Sequence, residues 1–251
     1  MSASKDLFFE IEAQQCSLWI YNQYGLDVNA EDTTGLWNEL YDEYIEMLDA
    51  EQAEYLWLER HSHNQFFHEF STDLTTANSL LTLAGNKTQA NTTYKLVYAH
   101  AVTLLEALIS TVVRKLVISE HRLMLNLVTE YDALSKRTIP LKQVAQDPAI
   151  VQGIVLKVLS ELSFHNVATI REILSAMFGD HMKGLELADI ARICNKRHDI
   201  VHRNGKTVDD EPIDLSIEDV QQAIHDIEVF AADLKRRVYE ALEEKDTKVQ
   251  P

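Results

Sequence analysis

Between Leu96 and Ile118 the chain reads LVYAHAVTLLEALISTVVRKLVI, without a glycine or proline and apolar nearly all the way round a helical wheel. A helix of this kind cannot sit on a surface; other helices must enclose it. The segment, extended back to about residue 91, is therefore the centre of a bundle. His100, Glu106, Arg114 and Lys115 interrupt it, so no run reaches the roughly 18 uninterrupted apolar residues of a membrane span.

The rest of the chain favours the same class. Only seven glycines and four prolines are spread over 251 residues, and apolar side chains recur at three- and four-residue spacing, whereas strand alternation is absent. Helices are expected over about 120–136, over 148–164 starting at Asp147 and Pro148, and over 166–178 with Asn166 as cap. Gly184 opens the next, and a segment from Leu185 to Gly205 reads as one helix. The last begins on a capping box, Ser216 with Asp219, and a hydrophobic staple, Leu215 with Val220. It should run to about Glu243, leaving residues 245–251 as a flexible tail.

Upstream lies a different kind of segment. Leu7, Phe8, Ile11, Leu18 and Trp19 fit one face of a helix ended by Gly25, and Thr33 or Thr34 can cap a second that carries Leu36, Trp37, Leu40, Tyr41, Tyr44, Met47 and Leu48. Residues 1–77 hold sixteen Asp and Glu against Lys5 and Arg60, so fourteen of the seventeen surplus negative charges lie there. The period is lost between about Ser71 and Thr93, which sets the expected division: an acidic, aromatic-rich helical module over 1–77 and a helical bundle over 78–244. The aromatic stripe is expected to serve helix packing, with a partner surface as the other reading. Cys16 and Cys194 lie far apart and are read as free buried thiols. The first ten residues lack a signal-peptide pattern, and the expected location is the cytoplasm.

Placed at about 100° per residue, Arg197 falls inside the apolar arc of the Leu185–Gly205 helix, formed by Leu187, Ile190, Cys194 and Val201, and His202 lies at its edge. A guanidinium there must be paired, line a cleft or reach water. From Lys196 to Lys206 the cations Lys196, Arg197, Arg203 and Lys206 and the imidazoles His198 and His202 stand against the single acid Asp199. An always-charged fork for phosphate oxygens beside an imidazole that titrates near neutrality is an apparatus for cleaving RNA. The acidity concentrated in residues 1–77 argues against indiscriminate binding to nucleic acid, so an RNA substrate has to be met by a local basic patch. Glu106, the only acid between Asp73 and Glu120, stands on the apolar helix near Ala99, Thr103 and Ser110 and needs a partner there. Arg60, His61, His63 and His68 are read as solvated, and His100 and His165 as hydrogen-bonded core or surface residues.

The run Arg197-His198-Asp199-Ile200-Val201-His202, followed by Arg203-Asn204-Gly205-Lys206, resembles the HEPN superfamily motif of Arg, four to six residues, then His. The upstream apolar helix, the motif near the end of a later helix and the capped final helix extend the resemblance over about 78–244. It implies an all-α HEPN-like bundle preceded by the acidic module, and a homodimer whose motifs face each other. It also implies metal-independent RNA cleavage by 2′-hydroxyl attack, leaving 2′,3′-cyclic phosphate and 5′-hydroxyl ends, as in toxins and anti-phage effectors. Arg197 and His202 carry over as phosphate binder and proton-transfer residue, His198 as the polar residue after the arginine, and Glu106 as an acid on the first bundle helix. Lys196, Arg203, Asn204 and Lys206 are the expected substrate-binding residues; no cofactor or metal is expected, and an antitoxin or regulator is the expected partner of the acidic module. Toxins silenced by adenylylation carry a tyrosine where this chain has Asn204, so that control does not carry over. Two alternatives stay open: a non-catalytic nucleotide-binding or dimerisation module, and a zinc-hydrolase reading of His198-Asp199-x-x-His202, which lacks a third ligand in sequence.

Overall fold

The computed structural model describes residues 2–32, 35–83 and 87–247, and side chains within them except at 2–8, 87–88, 146 and 245–247. Among the described residues there is no strand, only one isolated bridge between Lys206 and Pro212. The chain divides into two compact units, Met1–Arg60 and His61–Pro251. The break thus falls earlier than the expected position near residue 77.

The first unit is a helical hairpin, α1 (Ser2–Tyr24) and α2 (Leu36–Arg60). Gly25, at φ +69°, ends α1 as expected, its N–H bonding Tyr21 O at 2.9 Å. Cys16, Ile20 and Tyr44 form the small core, with Trp19, Trp37, Tyr41 and Leu48 packed against it. The aromatic stripe therefore does serve packing: Trp19 meets Tyr44 at 5.6 Å, and Trp37 stacks on Tyr41 at 4.8 Å. The buried face of α1 differs from the one read in sequence. Ile11 and Leu18 are exposed, at 43% and 61%, because α1 has two apolar stripes and the one through Cys16 and Ile20 meets α2. The expected contributions of Leu7 and Phe8, and the expected cap at Thr33 or Thr34, lie outside the described residues.

The second unit is a bundle about one helix. Its elements are α3 (His63–Ser79), a 3-10 turn (Leu80–Leu83), α4 (Lys87–Ser119), α5 (His121–Glu130), α6 (Asp132–Ser135), α7 (Leu141–Gln146), α8 (Ile150–Ser160), α9 (Val167–Phe178), a second 3-10 turn (Gly179–Met182), α10 (Ala188–His202) and α11 (Ile217–Thr247). Helices α3, α5, α8, α10 and α11 all pack on α4. On α4 the buried side chains Val97, Ala101, Leu105, Leu108, Val112 and Leu116 recur at three- and four-residue steps, so one broad face is enclosed while Leu96 stays 66% exposed. By length and mean hydropathy (1.8) this helix does pass the test for a span, which its interrupting charges had argued against. Yet 56% of its most apolar window is buried inside the bundle.

The apolar face of α3, with Phe66, Phe67, Phe70 and Leu74 buried, lies along α4, so α3 belongs to the bundle. The loss of period read as a domain boundary is the end of α3, the 3-10 turn and the start of α4. Asn166 caps α9 by accepting from Ala168 N–H at 3.0 Å. The capping box of α11 is formed reciprocally: Asp219 N–H donates to Ser216 Oγ (3.1 Å), and Ser216 N–H to the Asp219 carboxylate (2.9 Å). Its staple residues Leu215 and Val220 are both buried.

Candidate functional site

Helix α10 starts at Ala188, later than expected, because Gly184 (φ +74°) and the second 3-10 turn occupy the approach. Leu187, Ile190, Ile193 and Cys194 bury its inner face. Val201, placed on that face by the sequence, is instead 47% exposed, because the last turn projects past the core. The helix ends in two left-handed residues, Asn204 (φ +54°) and Gly205 (φ +76°). Gly205 N–H closes onto Ile200 O at 3.1 Å, and Ile213 N–H returns to Gly205 O at 2.8 Å. Lys95 of α4 reaches across this turn: a methyl group on Gly205 would lie 2.7 Å from its Nζ. The positive φ, more than the movable lysine end, is what calls for glycine here.

On the last two turns of α10 stand Arg197, His198 and His202. The two imidazoles are exposed, with ring centroids 4.8 Å apart. Arg197 is half-buried; its Nε is shut away from solvent without a hydrogen-bond acceptor, and among the described residues no carboxylate pairs with it. A guanidinium held this way has donors left for an incoming anion.

The expected substrate-binding cations are differently employed. Arg203 pairs with Asp199, one turn back, and Lys206 with Asp210 at 2.7 Å. Lys196 lies over the Tyr98 ring of α4, 6.0 Å from its centroid, on a different side of the helix from His198. Asn204 shapes the turn.

Glu106 does not pair with Arg197. Its Oε1 is buried without a hydrogen bond and lies 3.5 Å from Nδ1 of His165, the residue just before the α9 cap. Ser163 Oγ lies 2.7 Å from the same nitrogen and 3.0 Å from Nε2. His165, read in sequence as a core or surface residue away from the site, thus meets Glu106 and shares a groove with His198. Its signal was faint: a histidine beside a helix cap, far along the chain from Glu106. A groove of about 340 Å³ separates the first turn of α9 from α10, lined by His165, Asn166, Ala168, Cys194, Asn195 and His198. The Cys194 thiol in its floor is pushed up to about 11, chiefly by burial and further by Glu106, with Arg197 acting in the opposite sense. Both charges are therefore close to the groove floor.

Among the described residues no three His, Cys, Asp or Glu side chains are grouped to hold a metal ion. The carboxylate between the two histidines, Asp199, is engaged by Arg203. The metal-hydrolase pattern is left without a third protein ligand. No family model, no curated protein and no solved structure matches the chain.

Proposed function

We propose that this chain is a metal-independent endoribonuclease of the HEPN type, working as a homodimer on RNA. The observation that carries the reading is the end of α10, where two imidazoles stand 4.8 Å apart on the same two turns as Arg197, whose buried Nε has no hydrogen-bond partner among the described residues. The Arg-x4-His resemblance and the all-helical bundle support it. Arg197 binds the non-bridging oxygens of the scissile phosphate and stabilises the charge that grows on them. His202 takes the proton of the ribose 2′-hydroxyl, whose oxygen attacks phosphorus. The bond from phosphorus to the 5′-oxygen breaks, and that oxygen takes a proton from protonated His198. The products are a 2′,3′-cyclic phosphate and a 5′-hydroxyl, with no water consumed. A toxin or anti-phage effector is the setting the resemblance implies, with the acidic N-terminal unit meeting an antitoxin or regulator.

Purified wild type should cleave RNA in the presence of EDTA and leave cyclic-phosphate ends. His202→Ala should lose roughly 100-fold or more, and Arg197→Ala a comparable factor, with thermal midpoint and light-scattering mass unchanged. Undiminished cleavage by His202→Ala, or activity abolished by the chelator, overturns the reading. A second reading, a non-catalytic nucleotide-binding or dimerisation module, is favoured by the ion pairs that occupy Arg203 and Lys206. It predicts that wild type and His202→Ala are equally inert.

A further inference from the structure

We infer that the groove between α9 and α10 is a subsite for one unpaired ribonucleotide next to the scissile linkage, and hence that the substrate is single-stranded RNA. The identity of the ligand rests on the RNA reading above; the groove itself does not.

Two imidazoles from different elements converge on this space: His198, one turn from His202, and His165, from the entrance to α9. His165 is tethered from behind. The buried Oε1 of Glu106 has no hydrogen bond, and the His165 Nδ1 lies 3.5 Å from it. The Glu106 carboxylate and Ser163 Oγ, the latter 2.7 Å from Nδ1 and 3.0 Å from Nε2, hold the ring in place. An imidazole so held offers a flat face for stacking.

The remaining walls complement a nucleobase. Asn166 uses its side-chain oxygen to cap α9, so its amide N–H groups remain for a ligand. Asn195 is exposed, and among the described residues it makes no hydrogen bond, leaving one acceptor and two donors at the rim. Cys194, Ala191 and Val167 give the apolar part of the lining. Carboxamides that read base edges, with an aromatic ring to stack on, recognise bases that are splayed out of a helix; in a duplex those edges are already paired. His198, in the groove wall and 4.8 Å from His202 between ring centroids, joins this space to the end of α10 where the RNA reading puts the linkage.

The test uses the full chain and an oligoribonucleotide whose 2′-oxygens are all methylated, so that no cleavage can occur. Fluorescence anisotropy would compare this single strand with the same strand annealed to its complement. The single strand should bind at least tenfold tighter. His165→Ala should weaken it by about tenfold, the loss expected for one stacking partner. Ala168→Phe fills the groove from an exposed position and should do the same while keeping the wild-type thermal midpoint. Equal affinity for the duplex, no binding of either form, or wild-type affinity in both variants overturns the proposal. The two readings fail separately. Groove-dependent binding by a protein that cleaves nothing removes the nuclease and keeps the subsite; cleavage of natural RNA that is indifferent to His165→Ala and Ala168→Phe does the reverse.

Discussion

Cys194 senses both charges around it. Its thiol titrates near 9 in an ordinary setting and at about 11 in the folded chain, first because it is buried and then because Glu106 opposes a thiolate. A folded-state value raised above the unfolded one contributes stability that is complete below about pH 9 and lost as pH rises toward 11, because the unfolded thiol releases its proton first. Roughly 3 kcal/mol is at stake for a shift of this size. Urea denaturation should therefore show a steeper alkaline loss for wild type than for Cys194→Ala. Identical losses would mean that the thiol stays out of this linkage. Burial holds Tyr98, its neighbour, well above the usual phenol range, and the same sign applies there. At this scale the sequence was partly legible. That Arg197 and His202 share the last turns of one helix could be read from their spacing, and the need of Glu106 for a partner from its apolar surroundings. That the partner is His165 depends on how α9 docks beside α4 and α10, which no local pattern encodes. The pairs Arg203 with Asp199 and Lys206 with Asp210 were within reach, since four-residue spacing on a helix or turn is a local signal.

Among the elements, those with explicit stop and start chemistry were the readable ones. The Ser216–Asp219 box, the Asn166 cap and the Gly205 exit all stand where side-chain hydrogen bonding and positive φ require them. Ser216→Ala should lower stability by about 1 kcal/mol, a typical loss for such a cap, measurable as a reduced urea midpoint at unchanged slope. The backbone N–H and hydroxyl of Ser216 hold the Asp219 carboxyl below its usual range. Its contribution is therefore present above the ordinary aspartate value and fades as pH falls through the lowered one. A Ser216→Ala midpoint equal to wild type at pH 7 would show that the box does not stabilise α11. Elements lacking such signals were missed or misplaced. The short helix α7 begins after Pro140, has Leu141 85% exposed, and carries no amphipathic period to find. On α1 the period was present twice, and only contact with α2 selects between the two stripes.

Taken whole, the chain joins units of unequal substance. Among the described residues, ten of the twelve largest fully buried side chains, including Leu74, Leu105, Ile109, Leu127 and Ile173, belong to the second unit. A hairpin resting on Cys16, Ile20 and Tyr44 buries too little to offset its ordering entropy. Residues 61–251 expressed alone should therefore melt cooperatively near the wild-type midpoint by circular dichroism, whereas residues 1–60 alone should show no cooperative transition. A bundle that fails to fold without the hairpin contradicts this ranking. The all-helical class was visible from glycine and proline scarcity and apolar spacing, but the division at Arg60 was hidden because the change in composition near residue 77 is a turn inside the bundle. The lateral pairs of Arg203 with Asp199 and Lys206 with Asp210 have one more effect at this size. They turn what reads as a cationic strip into short dipoles, whose field dies within a Debye length of roughly 8 Å in physiological salt. On the ribonuclease reading proposed above, a long polyanion would not be reeled in from a distance; encounters would be governed by diffusion and shape, and a strand retained only where its own local form lets it settle.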